Sequence, residues 1–122
     1  MQTSQLPQEV TQYVQHIKGW ESLIRDEVAT ILDKIARGEP LTRSDLGLEV
    51  TPSEVAAIWS VKHRTDISPR YVREVKRNGR IEPSQEWGKG SSYRCLYKVR
   101  EIINIEVGHQ RGRPSKKAKS VV

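Results

Sequence analysis

A mainly α-helical fold with one small β-hairpin is predicted for this 122-residue chain on three observations. Apolar residues recur at steps of three and four from Val10 to Ile35, which is a helical stripe. Start signals then recur at Thr42, at Thr51-Pro52 and at Ser68-Pro69, each a capping residue, twice with proline at the first helical position. Finally, Gly88-Lys89-Gly90-Ser91-Ser92 separates two short segments with strand character. A short basic helix followed by a basic hairpin is the layout of a winged helix-turn-helix. The expected architecture is therefore mainly α, with a small β-wing and a long N-terminal helical element.

In chain order, residues 7–37 form the first helical region. Pro7 suits a first turn, and Val10, Tyr13, Val14, Ile17, Trp20, Ile24, Val28, Ile31 and Ile35 line one face, with Gln12, Lys18, Glu21, Arg25, Asp26 and Lys34 opposite. Gly19 marks a possible division into two helices, and Gly38 before Glu39-Pro40 stops the element. So long a stripe exceeds what a small domain can cover, so Val10, Val14, Ile17, Trp20, Ile24, Val28 and Ile31 are the expected homodimer interface. A short helix follows, capped by Thr42 with Asp45 at its third position and stopped by Gly47. Thr51 caps the next, whose buried side is Val55, Ile58, Trp59 and Val61. Ser68 caps the basic helix: Val72 and Val75 point inward, Ile67 and Tyr71 flank them, and Arg70, Arg73, Glu74, Lys76 and Arg77 face outward up to the Asn78-Gly79 stop. The hairpin spans 85–97, and Val99, Ile102, Ile103 and Ile105 complete the core from a last helix or strand. Three regions result: a helical 1–40, a DNA-binding 41–107 and a basic, flexible 108–122.

Charge is distributed unevenly. Residues 1–50 hold five Lys and Arg against eight Asp and Glu, whereas residues 51–122 hold sixteen against seven. A polyanion-binding surface confined to the second part is the expected consequence. The single cysteine, Cys95, excludes an intramolecular disulfide and a cysteine-based zinc site. No apolar run of membrane-spanning length and no signal-peptide pattern occurs, so a cytoplasmic, nucleoid-associated location is expected and no membrane partner. The chain carries none of the phosphate-loop, metalloprotease or nucleophile-elbow motifs, and His16, His63 and His109 are scattered. No enzyme activity, cofactor or metal is expected.

Nucleic-acid chemistry is better represented. Arginine can bond two acceptors of guanine in the major groove, or a phosphate. Hydroxyl and cationic groups on the wing suit backbone oxygens.

The segment ISPRYVREVKRNGRI at 67–81, with Pro83, Tyr93-Arg94 and the upstream Glu54-Val55-Ala56, resembles the MerR-type regulators over about residues 51–105. A narrower similarity is to the compact MerR-like repressors encoded beside cyanobacterial CRISPR-associated transposons. The resemblance implies a winged helix-turn-helix in which Arg70, Tyr71 and Arg73 contact DNA from the recognition helix and Tyr93 and Arg94 hold phosphate from the wing. Glu74 and Val75 stand where the family carries an aromatic pair, and about six extra residues separate Glu54 from Ser68. The family's dimerising C-terminal helix has no counterpart after Val107, which leaves the N-terminal stripe to build a dimer.

The expected DNA contacts are thus Thr51, Lys62, Arg64, Ser68, Arg70, Tyr71, Arg73, Lys76, Arg77, Lys89, Ser92, Tyr93 and Arg94, joined by Arg111 and Arg113 of an Arg-Gly-Arg-Pro arm suited to a narrow minor groove. The expected function is sequence-specific regulation of transcription, as a homodimeric repressor on a pseudo-palindromic operator in double-stranded DNA. The alternatives are a recombination or transposition accessory factor and a protein-interaction adaptor. No small-molecule effector is legible.

Overall fold

The computed structural model describes residues 6–107. The elements are α1 (Gln8–Val14), α2 (Trp20–Leu23), α3 (Asp26–Arg37), α4 (Arg43–Gly47), β1 (Glu49–Val50), α5 (Pro52–His63), α6 (Pro69–Arg77), β2 (Gln85–Trp87), β3 (Arg94–Lys98) and α7 (Val99–Ile102). The expected capping chemistry is in place. Thr42 and Thr51 each accept the backbone N–H three residues on, from Asp45 and Glu54, whose carboxylates return a bond to the cap's own N–H. Ser68 accepts from the N–H of Tyr71. At the other end of α6, Gly79 takes φ +77° while the N–H groups of Gly79 and Arg80 bond the carbonyls of Lys76 and Val75. That left-handed closure sends the chain sharply away from the helix.

Helix α5 is the centre of the molecule. Residues 54–61 are all buried, so this helix has no solvent face along most of its length, as befits an element covered on every side. Helices α1, α2, α3 and α6 pack on it, as does β3. Trp59 Nε1 donates to the Ile102 carbonyl at 2.9 Å, which satisfies the buried indole and ties α7 to α5. Ser60 Oγ closes the connection to α6, since it accepts from Ile67 N at 2.9 Å and donates to Ile67 O at 3.2 Å. His16 Nε2 donates to the same carbonyl at 2.7 Å, which anchors the segment after α1 there.

The sheet is antiparallel, in the order β1-β3-β2. Val50 opposes Tyr97, and Glu86 and Trp87 oppose Cys95 and Arg94. Strand β1 was not expected from the sequence. Two residues carry no readable alternation, and their pairing partner lies almost fifty residues away. Glu49 helps hold it, because its carboxylate accepts from Ser84 Oγ and Gln85 Nε2, both at 2.7 Å. At the hairpin tip Gly88 takes φ +84°, and a Cβ there would stand 2.2 Å from the Ser92 carbonyl oxygen. Only glycine fits this approach.

The N-terminal region departs most from expectation. It forms three helices that fold back on the rest of the chain, where one long element, or two helices divided at Gly19, was expected. Val10, Val14, Ile17, Ile24, Val28 and Ile31 are buried in the same core as Val55, Ile58, Trp59 and Val72, and Trp20 packs against it half-buried. These side chains face α5 and are not available to a second copy. The assignment of the stripe as a dimer interface is therefore corrected. The periodicity was sound; the breaks after α1 and α2 let a stripe that would overhang a small domain wrap around one helix. The core accordingly draws on both sides of residue 40, where a boundary between regions was expected. Among the described residues no helix is long and apolar enough to cross a membrane.

Candidate nucleic-acid interface

Among the described elements, helix α6 carries the densest positive charge, with Arg70, Arg73, Lys76 and Arg77 against Glu74. Ser68 and Pro69 start it, and Val72 and Val75 bury one side against α5. At 100° per residue this places Arg70, Arg73 and Arg77 together on the outer side, and all three are exposed. Among the described residues no carboxylate pairs with any of them. Lys76 lies beside this face with its ammonium 5.5 Å from the Tyr93 ring centre, a cation–π distance.

A cleft of about 650 Å³ runs between α6, β3 and the start of α5. Arg73, Lys76, Arg77 and Arg94 line it together with Thr51, Pro52, Ser53, Pro69, Tyr93, Cys95, Tyr97 and Leu23. Among the described residues no carboxylate lines it. Burial, then hydrogen bonding, raises the phenols of Tyr93 and Tyr97 above the ordinary value, at which a phenol is already neutral near pH 7. The charge of the cleft is therefore wholly positive. The start of α5 adds the positive end of its dipole.

The structure thus brings Thr51, Arg73, Lys76, Arg77, Tyr93 and Arg94 to one concave surface, with Arg70 on the adjoining outer face. Other expected contacts are placed differently. Tyr71 turns to the opposite side of α6 and meets Trp59 edge-on, with ring centres 6.1 Å apart. It is a half-buried core neighbour, which corrects its assignment as an outward base contact. Lys62 donates to the Ile103 carbonyl, and Arg64 stands 6.0 Å from the Tyr13 ring centre. Both belong to the far end of α5, roughly 16–20 Å along the helix from Thr51, and do not line the cleft. Ser68 and Thr51 use their hydroxyls as caps.

On the hairpin, Ser92 Oγ donates to the Lys89 carbonyl at 2.8 Å and so closes the loop, while Lys89 remains exposed. Tyr93 donates its hydroxyl to Glu86 at 2.8 Å. Arg94 Nη1 bonds the carbonyls of Ser91 and Tyr93, which braces the loop from inside. Arg111 and Arg113 lie outside the described residues.

Sequence reasoning missed Leu23, Pro52, Ser53, Pro69, Cys95 and Tyr97 as cleft-lining residues. A signal existed for Leu23 alone: it is apolar, stands one position off the stripe, and proves 44% exposed. Also missed was the partner of Glu54. This carboxylate is fully buried and accepts from Arg25 Nε and Nη2 at 2.9 Å each, from Arg25 N at 3.1 Å and from Thr51 N at 2.9 Å. Arg25 Nη2 also reaches the Glu49 carbonyl at 2.6 Å. This clamp fixes the turn between α2 and α3 to the start of α5, and so sets Leu23 beside the cleft.

No group of His, Cys, Asp and Glu that could hold a metal ion occurs among the described residues. No protein-family model, curated protein or solved structure matches this chain.

Proposed function

We propose that this protein is a transcriptional regulator, a repressor by occlusion, that binds double-stranded DNA through α6 and the β2–β3 hairpin. In this reading α5 and α6 act as a helix-turn-helix and the hairpin as its wing. One observation carries it. Arg70, Arg73 and Arg77 form an exposed guanidinium face on α6 with no carboxylate partner among the described residues, beside Lys76 and Arg94. Unpaired arginines on a short, rigidly packed helix suit the acceptor-rich edge of guanine and the phosphate backbone. The basic back half of the chain supplies the sequence-independent attraction.

Arg73 and Arg70 are the base-reading pair in this proposal, and Arg77, Lys76 and Arg94 hold phosphates. Binding to mixed duplex DNA, followed by fluorescence anisotropy between 50 and 200 mM salt, is expected to weaken with a log–log slope of about −3 or steeper. Selection from a random duplex pool is expected to return a defined motif, and a two-fold motif would mark two copies on one operator. Arg73→Ala should cost about 1–3 kcal/mol of preference for that motif. Intact motif preference in Arg73→Ala would place base recognition elsewhere. Absence of salt-dependent binding at micromolar protein would favour the adaptor reading instead.

A further inference from the structure

The cleft between α6, β3 and the start of α5 has two chemically different parts, and duplex DNA explains only one. Its rim is cationic, through Arg73, Lys76, Arg77 and Arg94. Its walls are apolar: Leu23, Pro52, Pro69 and Tyr97 line them. A backbone phosphate meets the rim but has no apolar body to cover such walls. Leu23, 44% exposed, would stay in water beside it. The volume of about 650 Å³ falls within the range of small-molecule sites.

We infer that the cleft binds a small organic anion, one carboxylate or sulfonate joined to an aromatic or branched aliphatic body. The anionic group meets the rim guanidinium groups near the positive end of the α5 dipole. The apolar body lies against Leu23, Pro52, Pro69 and Tyr97. Charge complementarity selects this occupant: among the described residues no carboxylate lines the cleft, and its two tyrosines stay neutral. Because Arg73, Arg77 and Arg94 are shared, the bound anion displaces DNA and acts as an effector. The displacement rests on the DNA-binding proposal; ligand binding itself does not.

Anilinonaphthalene sulfonate, which fluoresces in an apolar site, tests this on the full chain. Titration is expected to saturate at a single probe per chain. Leu23→Glu puts a carboxylate at the apolar wall from a position that is already exposed, so the fold tolerates it, and affinity should fall roughly tenfold. The Arg73→Ala/Arg94→Ala pair should do likewise, whereas Lys18→Ala, an exposed cation that does not line the cleft, should bind as the parent does. The uncharged counterpart phenylnaphthylamine should bind more weakly than the sulfonate. Non-saturating fluorescence, equal affinity in a folded Leu23→Glu variant, or equal binding of the uncharged probe would each overturn the inference. Duplex DNA then separates the two proposals. Competition between probe and duplex supports the shared site, and simultaneous binding overturns the displacement. Probe binding without any duplex binding removes the DNA reading and leaves the ligand site. Duplex binding without probe binding removes the ligand site alone.

Discussion

Arg25→Ala is expected to be among the more damaging substitutions at a residue that is itself largely in water. Arg25 is 44% exposed along its side chain, but Glu54, which it holds, has no exposure at all. Three of the four donors to this carboxylate come from Arg25, and two of those three belong to its side chain. Truncation leaves a buried charge with only the N–H groups of Arg25 and Thr51. Removing one partner of a buried pair costs about 3–5 kcal/mol. The vacated, partly exposed volume admits water to one side of the carboxylate, which lowers the expected loss to about 2–3 kcal/mol. In a domain of this size that lowers the melting temperature by roughly 10–20 °C.

Urea unfolding followed by tryptophan fluorescence measures the loss, with an unchanged slope showing that the unfolded state is not altered. Removing both charges in Arg25→Met/Glu54→Leu should recover part of the stability, because the uncompensated charge is gone. The residual deficit of about 1 kcal/mol belongs to the Thr51 capping box. A loss below about 0.5 kcal/mol in Arg25→Ala would show the pair to be worth no more than a surface ion pair. The clamp would then not be what holds the α2–α3 turn against α5.

Two further substitutions probe the hairpin and the proton balance. Gly88→Ala places a Cβ against the Ser92 carbonyl at a left-handed φ and should cost about 1–3 kcal/mol, with lost amide-exchange protection at the β2–β3 pairs; unaltered protection there would refute the close approach. His63 carries a buried Nε2 without a partner, and burial, then Lys62, hold its imidazole below the ordinary value of 6.5, with Glu106 opposing. The unfolded chain therefore takes up the proton more readily, so this contribution is complete above about pH 6.5 and is lost as pH falls through the lower folded value. Melting temperatures measured between about pH 7.5 and 5 should fall less steeply in His63→Gln, and parallel curves would refute the assignment.

The candidate site was legible in the sequence where its chemistry is local. The register of α6 follows from Ser68-Pro69 at one end, Asn78-Gly79 at the other and two valines three apart. That register alone places Arg70, Arg73 and Arg77 outward. Tyr71 was harder. It flanks the inward pair, so periodicity leaves it at the margin of the buried face, and its turn toward Trp59 depends on where α5 lies. Lys62 and Arg64 look continuous with the basic segment in sequence, yet α5 carries them to its far end. Leu23 had a readable oddity, but its place in a cleft needed the Arg25–Glu54 clamp, whose partners are 29 residues apart.

The sequence by itself determined the caps, the stops, the hairpin and the apolar faces of α1, α3 and α6. Those features depend on groups within four or five residues of one another, or on a period counted along one element. Only the tertiary structure decided what covers each apolar face. It folded the N-terminal stripe onto α5 instead of offering it to a second copy, recruited Glu49 and Val50 into the sheet, and drew Arg73, Lys76, Arg77 and Arg94 around one cleft. Hydrophobic burial is non-directional: a stripe states how much apolar surface must leave water, and chain closure chooses the surface that receives it.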